Sequence, residues 1–120
     1  MGRAMRRLSH WIAHEQIAPS SGRWLDDVGP ATGQVIAEIP AGSAEDVDRA
    51  VKAAQACMAG SWSQSTPAER ADLCDAIADT LEARRDELAE LESLDCGKPI
   101  SMARNIDIPV SYTHLRAHET

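Results

Sequence analysis

The four residues Thr66-Pro67-Ala68-Glu69 constrain the fold of this chain more than any others. A threonine hydroxyl can accept a hydrogen bond from a backbone N–H of the first helical turn. Proline suits the first helical position, where its missing N–H is no loss, and a glutamate three residues after the cap can reach back to it. A helix therefore starts at Pro67, and Leu73, Ile77, Leu81, Leu88, Leu91 and Leu94 supply its apolar stripe. The step from Leu81 to Leu88 passes Arg84-Arg85 without an apolar partner, which predicts two helices or one bent there. Gly97 and Pro99 end the run, with Lys98 at the carboxyl end, where the helix dipole favours a cation.

A second helix lies upstream. Ser43 is its cap, Glu45 and Asp46 fall in its first turn, and Gly60 stops it. Val47, Ala50, Val51, Ala54 and Met58 share one face. Cys57 lies beside that face and is expected as a buried, inert thiol, because no base or cation adjoins it in sequence. Before Pro40 the pattern is extended. Residues 25–39 read as a β-hairpin around Gly29-Pro-Ala-Thr-Gly33, where proline suits a turn corner and glycine a positive φ. His10-Trp11-Ile12 and Gln16-Ile17 read as two short strands around a turn, with a loop at Pro19–Gly22. Residues 1–9, polar and basic, read as a disordered lead.

Composition narrows the class. At 120 residues the chain has room for one domain. It has no Phe and only 3% aromatic residues, so twenty alanines do much of the apolar work, and alanine buries little. Acidic residues outnumber basic ones by 19 to 12, which argues against nucleic acid as a partner. No apolar run approaches the roughly 20 residues of a membrane span, and no apolar segment of a secretory signal follows the basic start. Cys57, Cys74 and Cys96 are odd in number and form no CxxC, which points to a reducing, cytoplasmic setting without disulfides or zinc.

The last eleven residues, Val110–Thr120, stand apart. His114 and His118 are spaced i, i+4 with Glu119 beside the second, yet two imidazoles do not close a zinc site. The string VSYTHLRAHET resembles one reading-frame translation of a transposase sequencing adapter, and Pro109 would share the junction codon. Residues 110–120 are therefore expected to be a non-native tail that adds nothing to fold or metal binding.

No GxGxxG, Walker loop or GxSxG elbow occurs, and the carboxylates from Glu82 to Glu92 read as a solvated helix face. No catalytic set can be assembled from these residues. A resemblance goes further. Gly29-Pro-Ala-Thr-Gly-Gln-Val-Ile-Ala-Glu-Ile-Pro40 resembles the NPATGEVIA hairpin of the NAD(P)-dependent aldehyde dehydrogenase superfamily, with Gly29 in place of Asn. Ala44–Ala54 is similar to that family's next helix. Trp62 followed by Thr66-Pro-Ala-Glu-Arg70 resembles its W…PAER helix start, and Leu88–Pro99 its LETLDxGKP segment. Ala13-His14-Glu15-Gln16 stands where the family has a polar DGxW turn.

This resemblance implies an α/β chain: the amino-terminal part of the aldehyde dehydrogenase fold, short β-hairpins followed by helices, incomplete, over residues 10–109. It implies a longer enzyme, a homo-oligomer, that oxidises a small-molecule aldehyde to a carboxylate with NAD or NADP through a cysteine thioester. The catalytic and cofactor-binding residues match nothing in these 120 positions. One family site does reach the chain, a structural Na+ or K+ held by the residues before NPATG and the acid before GKP, here Asp27, Val28 and Asp95. Ala103-Arg-Asn-Ile-Asp-Ile-Pro109 is similar to the ARxxDIP stretch of the hydroxymuconic and aminomuconic semialdehyde dehydrogenase branch, with betaine-aldehyde-type enzymes as close competitors. The alternative reading is a free-standing small helical interaction module without enzymatic activity.

Overall fold

The computed structural model describes residues 6–117, which form two compact units: 6–29 with 33–64, and 30–32 with 65–117. The first unit contains β1 (Arg6–Arg7), β2 (His10–Ile12), β3 (Glu15–Ile17), β4 (Trp24–Gly29), β5 (Gln34–Pro40), α1 (Ala44–Ala59) and a 3-10 turn at Ser61–Gln64. Strands β4 and β5 form the expected antiparallel hairpin, with Leu25 opposite Ile39 and Val28 opposite Val35. The Gly33 N–H donates to the Gly29 carbonyl at 2.8 Å, and Gly33 takes φ +70°, which glycine adopts without strain. A register shift between Asp27 and Val28 marks a bulge that the sequence reading did not contain.

The disordered lead is corrected at its carboxyl end. Arg6 and Arg7 pair in parallel with Ala37 and Glu38, and the Leu8 N–H donates to the Glu38 carbonyl at 2.9 Å. The cause is Arg7, whose guanidinium lies 2.7 Å from the Glu38 carboxylate and 4.8 Å from the centre of the Trp24 ring. Residues 1–5 lie outside the described residues.

The β2–β3 turn is made by Ala13 (φ +51°) and His14 (φ +65°). Positive φ at both central residues suits the right-handed twist of a two-residue hairpin, but a Cβ there costs about 1–2 kcal/mol per residue. The double change Ala13→Asn, His14→Gly should therefore stabilise the hairpin by about 1 kcal/mol. Hydrogen exchange in β2 and β3 should slow roughly fivefold. Unchanged exchange would show that the turn carries no strain.

The second unit contains α2 (Pro67–Ala83), α3 (Arg85–Cys96), α4 (Ile100–Met102), a π-helical turn at Ala103–Asp107 and α5 (Ile108–Arg116). Thr66 and Glu69 close the expected capping box: the Glu69 N–H donates to Thr66 Oγ1, and Glu69 Oε2 accepts from the Thr66 N–H at 2.7 Å. The break falls at Arg84 (φ −105°, ψ 18°). Its guanidinium grips the Glu87 carboxylate through two bonds of 2.8 and 2.7 Å, so α3 starts on an ion pair instead of a hydroxyl cap. Gly97 ends α3 at φ +72°, and a Cβ there would meet Pro30 Cγ at 2.9 Å. Glycine is thus required twice, for its conformation and for the close approach.

Beyond Pro99 the chain turns helical again. Pro109 sits in the first turn of α5, where it lacks an N–H and its ring crowds the carbonyl four residues back. The π-helical turn just before it loosens the register at that point. The expectation that residues 110–120 add nothing to the fold is corrected for the described part. Residues 110–116 belong to α5, and Arg116 reaches Asp79 at 2.8 Å and Glu82 at 2.6 Å on α2. Those carboxylates raise the Arg116 pKa above its already high ordinary value. Val110, Tyr112 and Leu115 give the segment enough apolar spacing to continue a helix already under way.

Buried residues are few and small. In the first unit they are Ile12, Pro19, Gly29, Ala37, Ala41 and Asp46; in the second, Ala78, Ala89 and Ala103, each wholly enclosed. Alanine lets helices approach closely but leaves the larger stripe residues outside. Leu73, Ile77 and Leu94 are exposed, while Leu81, Leu88 and Leu91 are half-buried. On α1 the whole expected face is open, with Val47 61% and Met58 57% exposed. Cys57 is exposed too, which corrects its reading as a buried thiol: among the described residues no element of the first unit covers that side of α1.

Candidate functional site

The most organised polar cluster is at the amino end of α1. Asp46 is buried and takes the third helical position, where its carboxylate accepts from the Ser43 N–H at 2.9 Å and from the Ser20 N–H at 3.1 Å. Ser43 Oγ accepts from the Asp46 N–H at 3.3 Å and lies 2.6 Å from Ser20 Oγ. These donors, the Ser43 N–H first, pull the Asp46 pKa down to about 2 despite its burial. His10 Nε2 stands 3.5 Å from Asp46 and has no hydrogen-bond partner.

The grouping of serine, histidine and aspartate invites comparison with a catalytic triad, and the geometry answers it. A nucleophile needs a hydrogen bond to its base, and His10 Nε2, the ring nitrogen nearest the cluster, makes none to either serine. The arrangement instead ties the Pro19–Gly22 loop and the β2–β3 hairpin to the start of α1. The Ser43-x-x-Asp46 spacing could have shown the cap. Ser20 and His10 come from distant sequence and carried no signal.

The three expected ion ligands are placed as follows. Asp27 and Val28 are consecutive on β4 and face a bulge in β5, where Ile36 drops out of the ladder pairing. Asp95 is exposed in the last turn of α3, in the second unit. The donor types, carboxylate and backbone carbonyl, fit a hard monovalent cation. Among the described residues no group of three or more His, Cys, Asp or Glu could hold a metal ion. His118 and Glu119 lie outside the described residues.

No GxGxxG or Walker loop occurs in the sequence of the described residues. The cavity of about 380 Å³ beside Pro67, Arg70, Ala71 and Cys74 is a shallow recess on one face of α2, and no glycine-rich loop cradles phosphate there. Cys96 Sγ approaches the Glu92 carbonyl at 3.0 Å, the ordinary contact of a thiol within its own helix. What the second unit does build is a brace around the Gly-Lys-Pro turn. Lys98 lies 2.6 Å from Asp107 and 3.5 Å from Glu92, chiefly the former raising its pKa, and Arg104 lies 2.9 Å from Asp86. Among the described residues no helix is long and apolar enough to cross a membrane.

Comparisons with known proteins bear on this architecture. The model of the aldehyde dehydrogenase family matches residues 17–119. The chain is 44% identical over 105 residues to a 2-hydroxymuconic semialdehyde dehydrogenase from Pseudomonas sp. (strain CF600), covering 88% of this chain and 22% of that protein. It is 38% identical over 110 residues to an EPTC-inducible aldehyde dehydrogenase from Rhodococcus erythropolis, covering 92% and 22%. The NAD+ complex of an aldehyde dehydrogenase from Bacillus cereus superposes with a TM-score of 0.89 at 37% identity, over 93% of this chain and 23% of that one. The chain thus spans about 22% of the length of the curated relatives it matches, and its fold is a part of theirs. It belongs to the aldehyde dehydrogenase family.

Proposed function

We propose that these residues are the amino-terminal part of an NAD-dependent, cytoplasmic, homo-oligomeric aldehyde dehydrogenase that oxidises a small-molecule aldehyde to a carboxylate. The observation that carries this is the family match over residues 17–119 together with the family's motifs in order, the Gly29–Pro40 hairpin, the capped α1, the Thr66–Arg70 helix start and the Gly97-Lys98-Pro99 turn. NAD is preferred to NADP because the Bacillus cereus relative is an NAD+ complex. When bound in the longer enzyme, the nicotinamide would accept hydride. A semialdehyde is the favoured substrate class, on the 44% identity to the Pseudomonas enzyme and the Ala103–Pro109 stretch. The role of this chain is scaffolding: the capped helices and the braced turn present apolar faces of the kind a larger fold covers. A free-standing interaction module is not favoured, since a family match this long follows the order of an enzyme's motifs.

The 120-residue chain should form no NADH from an aliphatic aldehyde or a semialdehyde, because it contains no matched nucleophile or base. A longer reading frame continuing past Ile108 into a cysteine-bearing segment should form it. Activity in the short chain, or none in the long one, overturns the proposal. Residues 110–120 remain in this proposal a non-native tail, of which residues 110–116 take up a helix by continuation. Asp27, Val28 and Asp95 are proposed to hold a structural Na+ or K+ in the longer enzyme. Replacing Na+ and K+ in the buffer by a bulky organic cation should lower its melting temperature, and Asp95→Asn should remove that dependence. Equal cation sensitivity in the variant would sink the assignment.

A further inference from the structure

We draw no further inference here: the strongest candidate, the exposed apolar face of α1 formed by Val47, Val51 and Met58, carries nothing because nothing in the structure shows what covers it.

Discussion

Asp46→Ala should loosen the first unit more than the loss of any other capping residue in the chain. Removing Ser43 Oγ deletes the cap bond from the Asp46 N–H and an exposed hydroxyl contact with Ser20 but strands only one backbone donor, a loss of about 1 kcal/mol. Removing the Asp46 carboxylate strands two backbone donors, those of Ser43 and Ser20, and releases a loop as well as a helix end. All three tryptophans, Trp11, Trp24 and Trp62, lie in the first unit, so intrinsic fluorescence reports that unit by itself. The sign of the pH effect follows from the depressed pKa. The Asp46 carboxylate titrates near 2 in the folded chain against an ordinary 3.8. Its contribution is therefore full above about pH 4 and is lost as pH falls through about 2. Asp46→Asn should flatten the part of the acid transition that tryptophan fluorescence records between those values. Glu69, whose pKa is also lowered, sits in the second unit and does not confuse the reading. An unchanged acid profile in Asp46→Asn would show that the carboxylate does not hold the unit together.

What the sequence disclosed was local or was shared with a family. The Thr66 cap, the Ser43 cap, the hairpin around Gly29–Gly33 and the break at Arg84 each depend on residues within a few positions of one another, and each stands where the pattern put it. Three of the misses depend on partners far apart. β1 has no apolar alternation, and it exists because Arg7 finds Glu38 and Trp24. Asp46 read only as a dipole-favoured acid, because its buried state depends on Ser20, 26 residues away. The resemblance of the tail to an adapter sequence says nothing about its conformation, and a segment entering from a helix and bearing Arg116 can pair with Asp79 and Glu82 whatever its origin. Cys57 departs from expectation for the opposite reason: periodicity identifies an apolar face but does not supply what covers it. For the ion site, the residue types were legible only through the family resemblance.

The purified 120-residue chain should unfold over a broad thermal range and bind an apolar dye while keeping helical far-UV circular dichroism. Its two caps and bracing ion pairs favour helix locally. Its enclosed apolar residues among those described are one isoleucine and five alanines. Burying an alanine methyl gains about 0.8 kcal/mol, whereas ordering one residue's backbone costs about 1–2 kcal/mol. Alanine contacts therefore cannot offset the ordering of the segments that carry them. The larger side chains that could are outside: Trp11 is 66% exposed and Leu25 53%, and no large side chain is fully buried among the described residues. Secondary structure without enclosed large side chains retains far-UV signal, loses sharp tertiary cooperativity and offers surface to dye. A longer chain of the same family that covers these faces should abolish dye binding and sharpen the melt. A two-state transition above roughly 60 °C in the short chain, of the kind well-packed domains give, would show that alanine packing and ion pairs suffice and that this account of its stability is wrong.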